Sequence, residues 1–192
     1  MGKKGDETKK HIKEQAKLLF ANKGFKEVTM KDICEATSLS RGGLYRHYDS
    51  TDQIFAEIIS EFLDVQNNIF SESIEKGISA SEILNEILNN YQLEMLDAKH
   101  SLSMAIYEYF SSKNIAENEN ILLKRYQLSF DYWDKLVNYG ISRGEFKSVD
   151  TKGIIDLILF SYQGIRMYSQ LMPIQKETPI SMIEQIKKLL LK

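Results

Sequence analysis

Apolar residues recur at three- and four-residue spacing along nearly the whole chain, and the breaks between these runs carry residues that begin and end helices. Ile12, Ala16, Leu19 and Phe20 share one face of a first helix opening near Asp6 and Glu7, where acidic side chains complement the amide-rich end. Gly24 is placed to close it in the left-handed conformation, with Phe25 as the apolar residue that follows. Thr29, with Asp32 three residues on, then opens a short helix that turns Met30, Ile33 and Ala36 inward. After a break at Thr37–Leu39, Ser40 caps a second short helix from Arg41 to about His47. Two short helices joined by a tight turn and preceded by a longer one make a helix-turn-helix.

The rest of the chain has the same periodicity. Ser50 caps a long helix from Thr51, with Gln53 at its third position and Ile54, Ile58, Phe62, Val65 and Ile69 on one side, ending before Gly77. Ser79 and Glu82 open another through Leu84, Leu88, Tyr91 and Met95, and a shorter one runs from about Leu102 to Ser112. A helix from about Asn118 to Arg143 carries the stripe Tyr126, Phe130, Trp133, Val137 and Ile141, and Gly144 stops it. Asp150 begins the next, which runs to about Met172 ahead of Pro173; Thr178 as cap and Pro179 as first helical residue start a terminal helix to Leu191. The expectation is an all-α fold of about nine helices with no strand.

Composition narrows the function. The 192 residues are 43% hydrophobic and 27% charged, with one cysteine, which excludes an internal disulfide and a multi-cysteine zinc site and fits a reducing cytosol. Cys34 is expected to fill core space. No apolar run approaches the roughly 18 residues of a membrane span or the core of a signal peptide; the longest, GIIDLILFSYQGI, contains Asp156 and Gln163. A cytoplasmic protein with no membrane partner is expected. The net charge of −2 divides into +4 over residues 1–50 and −6 over residues 51–192, a basic head suited to a polyanion. His11, His47 and His100 share neither a helical face nor a ligand spacing, so no metal is expected, and no cofactor. No nucleophile elbow, phosphate loop or dinucleotide fingerprint is present, so no enzyme is expected.

The basic head is most unusual at Ser40–His47. Adjacent glycines at 42 and 43 each cost a helix about 1 kcal/mol, yet they clear the backbone for close approach by a large anion. Arg41 and Arg46 can reach bases or phosphates, and Tyr45 and His47 can donate to phosphate oxygens. The stretch TMKDICEATSLSRGGLYRHYDSTDQI resembles the TetR-family signature: Thr29, Ile33, Ser40, Gly42, Leu44, Tyr45, His47 and Ser50 match at the family's spacing. The resemblance is strong over residues 8–66. It implies a helix-turn-helix DNA-binding domain at 6–66 (motif 29–48) and a helical effector-binding and dimerisation domain at 67–192. The implied function is a homodimeric regulator, a repressor released from a palindromic double-stranded DNA operator by a small amphipathic or aromatic ligand. By position, Thr29, Ser40, Tyr45 and His47 would contact phosphates, Arg41, Gly42 and Gly43 would face bases, and Leu44 and Tyr48 would pack the head. The pattern is departed from in three places: Thr51 stands for the usual lysine, Thr37 and Ser38 for the usual Ala-Gly of the turn, and Gly43 leaves the second helix bare.

For the body, the aromatic and charged residues Tyr91, Met95, Tyr107, Glu108, Phe110, Tyr126, Phe130, Trp133, Tyr162 and Arg166 are candidates for a ligand pocket. An inward Glu108 would favour a cationic ligand, an inward Arg166 an anionic one. The helix after Asp150 is apolar on two faces: Ile154, Ile158, Tyr162 and Ile165 on one, Leu157, Phe160, Gly164 and Leu171 on the other. A helix apolar all round needs burial on both sides. The second face, with Ile183 and Leu190 of the terminal helix, is therefore the candidate dimer interface. The alternative is a helical small-molecule carrier whose head has weakened or lost DNA binding.

Overall fold

A computed structural model describes residues 3–65, 69–113, 115–116 and 120–192. Among them are α1 (Lys3–Lys23), α2 (Met30–Thr37), α3 (Arg41–Tyr45), α4 (Thr51–Val65), α5 (Ile69–Glu75), α6 (Ala80–Leu96), α7 (Ser103–Ser111), α8 (Ile121–Ser142), α9 (Thr151–Tyr168) and α10 (Glu177–Leu190), with a single 3-10 turn at Ala98–His100. The fold is all-α. No helix among the described residues is long and apolar enough to cross a membrane.

The sequence treats residues 51–76 as one helix; α4 and α5 occupy that stretch, and residues 66–68 between them lie outside the described residues, as do the side chains of Phe62, Val65 and Ile69 and the expected helix start at Asn118. Asn120 instead caps α8, its side chain accepting from the Leu123 amide at 3.1 Å. The terminal helix also starts before the expected Thr178: the Thr178 N–H donates to the Gln175 carbonyl at 3.0 Å, a backbone turn that places Thr178 inside α10. Asp150 does cap α9 by position, without a side-chain hydrogen bond.

The chain forms two compact units, residues 1–62 with 99–119, and residues 63–98 with 120–192. In the first, α1 packs on α2 and α7. Its core holds Ile12, Ala16 and Phe20 of α1, Ile33, Leu44 and Tyr48 of the helix-turn-helix, and Ile54, Phe55, Ile58 and Ile59 of α4. Phe20, Phe25, Phe55 and Tyr109 stack edge to face or tilted, with centroids 4.7–5.1 Å apart for the Phe20–Phe55, Phe25–Tyr109 and Phe55–Tyr109 pairs. Ala36, expected inward, is exposed; Thr37 takes the buried position and donates its hydroxyl to the Ile33 carbonyl at 2.7 Å, which removes the cost of burying it.

The second unit packs α6, α8, α9 and α10 around Leu84, Leu88, Trp133, Leu136, Val137, Ile155, Ile158, Ile183 and Leu190. Gly144, at φ 73°, ends α8 in the left-handed region. The chain then turns Phe146 into this core and makes one antiparallel bridge to Leu191, with the Lys147 N–H on the Leu190 carbonyl at 2.8 Å.

Candidate functional site

The helix-turn-helix is built by short-range capping. Thr29 accepts from the Asp32 amide at 3.2 Å while the Asp32 carboxylate accepts from the Thr29 amide at 2.8 Å, a complete capping box. Lys23 donates to the same carboxylate at 2.7 Å, and with Thr29 holds Asp32 well below the usual carboxylate range. The Thr29 hydroxyl, a candidate phosphate contact, thus already donates within the cap, to Asp32.

The turn passes through Ser38, the residue standing where the family pattern has glycine. Its φ of 57° and ψ of 23° lie in the left-handed region, the single positive φ of a non-glycine residue among those described. A side chain there costs about 1–2 kcal/mol, partly offset by its smaller unfolded-state entropy. Ser38→Gly is accordingly expected to raise stability by about 0.5–1 kcal/mol in a denaturant titration, and Ser38→Val to lower it.

Ser40 caps α3 by accepting from the Gly43 amide at 3.1 Å. Helix α3 proper ends at Tyr45, and Arg46 and His47 continue it as a hydrogen-bonded turn, with the His47 amide on the Leu44 carbonyl at 2.9 Å. Leu44 and Tyr48 are buried and anchor α3 to the head. Arg41, Gly42, Tyr45 and Arg46 are exposed. A β-carbon at Gly42 would meet no atom within 4 Å, so the bareness there does not serve internal packing. One at Gly43 would meet the Ser40 Oγ at 3.2 Å. The Arg41 guanidinium lies 5.5 Å from the Tyr45 ring centroid, one turn away on the same face. His47 is half-buried, and its Nδ1 has no hydrogen-bond partner in the chain. Thr51 is half-buried at the first turn of α4, where Ser50 caps by accepting from the Gln53 amide at 3.2 Å.

The ligand-pocket candidates divide between the units. Tyr107, Glu108 and Phe110 belong to the first, and Tyr91, Met95, Tyr126, Phe130, Trp133, Tyr162 and Arg166 to the second. Glu108 is a clasp on the end of α1: its carboxylate accepts from the Phe25 amide at 2.7 Å and the Lys26 amide at 3.0 Å. Tyr107 is exposed, and Phe110 packs edge-on against Tyr109 at 5.2 Å.

In the second unit, Tyr91 stacks on Tyr162 with centroids 4.1 Å apart at 21°, and the Trp133 indole N–H donates to the Tyr91 hydroxyl at 3.3 Å. Met95, Tyr162 and Ile165 form a buried cluster beside them. The Tyr162 hydroxyl donates to Glu94 and accepts from Arg166 Nη1 at 2.9 Å; burial above all pushes its ionisation well up. Tyr126 is turned elsewhere, donating to Asp156 at 2.5 Å and lying 5.8 Å from the Phe160 ring, and Phe130 packs against the main core. Sequence reasoning missed Arg125 of α8, which lies eight residues before Trp133. Among the described residues no group of three or more His, Cys, Asp or Glu could hold a metal ion.

On α9, Leu157 and Phe160 are 48% and 65% exposed. The helix ends at Tyr168, short of the expected Met172, so Leu171, 61% exposed, stands in the turn that follows, whereas Ile183 and Leu190 of α10 are 2% and 0% exposed. Ile183 and Leu190 therefore belong to the unit's own core and cannot meet a partner. The large apolar residues of α10 that do stand outward are Ile180 and Leu189, which the sequence did not single out.

The family model for bacterial regulatory proteins of the tetR family matches residues 12–58, and that for the C-terminal domain of tetracyclin repressor-like proteins matches residues 83–180. The chain is 33% identical over 148 residues to the uncharacterised HTH-type transcriptional regulator YfiR of Bacillus subtilis, spanning 75% of this chain and 70% of that protein.

The chain belongs to the TetR family.

It is also 30% identical over 148 residues to the HTH-type transcriptional repressor KstR2 of Rhodococcus jostii, across 77% of this chain and 71% of that one. A TetR-family transcriptional regulator from Agrobacterium tumefaciens has the same fold, with a TM-score of 0.79 at 13% identity over 98% of this chain and 100% of that one. The first family model spans α3 and the start of α4, and so includes the capped, bare stretch at Ser40–Tyr45. In this TetR-family chain the second model takes in Tyr91, Trp133, Tyr162 and Arg166.

Proposed function

We propose that this TetR-family regulator is a DNA-binding repressor that acts as a homodimer and is released from its operator by a small amphipathic ligand held in its second unit. The observation that carries the reading is the surface of α3: a capped helix start, two glycines with no internal packing role at Gly42, and Arg41 and Arg46 exposed beside them. Helix N-termini favour phosphate, arginine reads guanine edges bidentately, and missing side chains let the backbone come close. Ser40, Tyr45 and His47 are assigned phosphate contacts, with Thr29 and Thr51 at the edge of the footprint; Arg41, Gly42 and Gly43 face bases. Footprinting of fragments upstream of the protein's own coding region tests this. Protection of two symmetric half-sites about one helical turn apart is expected; uniform weak protection along the fragment would count against it.

The exposed apolar face of α9, with Ile180 and Leu189 of α10, is assigned to the partner subunit. It is too rich in large apolar side chains to be ordinary surface, and the half-buried Gly164, where a β-carbon would meet nothing within 4 Å, lets another backbone approach. Phe160→Glu, at an exposed position, and Gly164→Trp, whose β-carbon would meet nothing within 4 Å, are expected to halve the mass seen by light scattering from twice 22.2 kDa to 22.2 kDa. A mass unchanged in both variants would remove this face from the interface.

Release follows from chain connectivity. Helix α4 starts at Thr51, a few residues after α3, and the second unit takes over within it at Leu63. A ligand that favours a different setting of α4 shifts the population of DNA-competent heads, and affinity falls by its differential affinity for the two states.

A further inference from the structure

Helices α6, α8 and α9 bring one carboxylate, two guanidinium groups and two phenols together beside an apolar cluster. Arg166 is held in place: Nη1 donates to the Tyr162 hydroxyl at 2.9 Å and lies 3.7 Å from the Glu94 carboxylate, and the guanidinium is 5.1 Å from the Tyr162 ring centroid. Its Nε is buried and has no hydrogen-bond partner in the chain. A buried charge-bearing donor left this way is costly unless something else accepts from it. Arg125 stands close enough that its electrostatic neighbours are Tyr162, Arg166, Tyr91 and Glu94, and burial works against its charge. Glu94 is the carboxylate shared by this group, and it is half-exposed and already accepts from Tyr162. Beside these charges lie Met95, Tyr162 and Ile165, with Tyr91, Ile174 and Met182 packed on them. Thioethers and flat rings adapt to the shape of an apolar ligand.

We infer that this cluster is an anion-recognition site, and that the effector is an amphipathic acid whose carboxylate or phosphate meets the guanidinium groups of Arg166 and Arg125 while its apolar part lies against Met95, Ile165 and Met182. The inference rests on the proposed effector role of the second unit and adds the sign of the ligand's charge. Arginine's planar fork offers Nε and one Nη to two oxygens of an anion at once, and in Arg166 Nε is the donor left over. A cationic ligand would meet two like charges and gain a single half-exposed carboxylate that is already engaged.

Trp133 is the chain's one tryptophan, and its bond to Tyr91, which stacks on Tyr162, makes its emission a reporter of the site. The full-length protein is titrated with dodecanoate, dodecyl phosphate and dodecyltrimethylammonium below their micelle concentrations, with stoichiometry from native mass spectrometry. The two anions are expected to saturate at one per chain and to bind at least tenfold tighter than the cation, and the tighter anion tells carboxylate from phosphate. Arg166→Gln is expected to weaken both anions at least tenfold and leave the cation unchanged. Arg125→Gln serves as the second variant if the first does not fold, as judged by its melting curve. Equal or tighter binding of the cation, no binding of either anion, or unaltered anion affinity in the folded variant would overturn the assignment. Failure of the effector role has a different signature: the anions bind at the site, lose affinity in Arg166→Gln, and leave the affinity for operator DNA unchanged.

Discussion

Gly140→Ala is expected to destabilise the second unit by about 2–3 kcal/mol, although an alanine in a helix interior normally gains about 1 kcal/mol over glycine. The inversion comes from Phe146. A β-carbon at position 140 would lie 2.3 Å from Phe146 Cδ2 and 2.5 Å from Cγ, far inside contact distance, and both residues are buried. The ring cannot easily swing away. The Phe146 amide donates to the Gly140 carbonyl at 3.0 Å, and the segment is tied to the chain's end by the Lys147–Leu190 hydrogen bond and the bridge to Leu191. Overpacking of this kind in a tight core shifts backbone and rotamers together. The check is a thermal melt, with Phe146→Leu as the partner change: the double variant is expected to lose less than the sum of the two single losses, because the smaller side chain vacates the space. A Gly140→Ala melt at or above the wild-type midpoint would mean that the helix and ring do not approach as described.

Gly42→Glu is expected to separate stability from function. A β-carbon at 42 meets nothing within 4 Å, so the replacement removes a glycine penalty of about 1 kcal/mol and adds a carboxylate to the first turn of α3, where the helix dipole favours it by a few tenths of a kcal/mol or more. The melting midpoint should therefore hold or rise. The same carboxylate would face phosphates and base edges. Like charges brought together in an interface cost several kcal/mol, so affinity for the operator should fall about 100-fold or more, at about 1.4 kcal/mol per factor of ten. Gly42→Ala, with no charge, is expected to show the same gain in stability and a smaller loss of affinity. Unchanged affinity in Gly42→Glu would remove α3 from the DNA interface. A lowered midpoint would show that Gly42 serves the head's own packing.

The helix-turn-helix was legible because its signals are local. Thr29 with Asp32, Ser40 with Gly43, and Gly24 with Phe25 all act within a few residues, and each takes the role its spacing predicts. What depends on partners far along the chain was not legible in the same way. Glu108 reads as a charge beside aromatic stripes, and only the fold brings it to the amides of Phe25 and Lys26. On the amphipathic α10, periodicity shows that one face is buried but not which of its apolar residues turn out: Ile183 and Leu190 face their own core, and Ile180 and Leu189 do not. On α9 the two faces were separable because Ile154, Ile158, Tyr162 and Ile165 form a clean stripe and Leu157 and Phe160 stand opposite. Arg125 was overlooked because a charged residue reads as solvent-facing, and its place on α8 matters only once Arg166 and Glu94 arrive from α9 and α6.

The most direct test of the central claim is fluorescence anisotropy of a labelled duplex from the protein's own upstream region, titrated with protein at several salt concentrations beside an unrelated duplex of equal length. The account predicts tight binding to the upstream duplex that weakens steeply with salt, as phosphate contacts require, and an affinity for the unrelated duplex lower by about a thousandfold or more. Equal, weak binding to both duplexes would contradict it, and would leave the basic head without the DNA-reading role assigned to it.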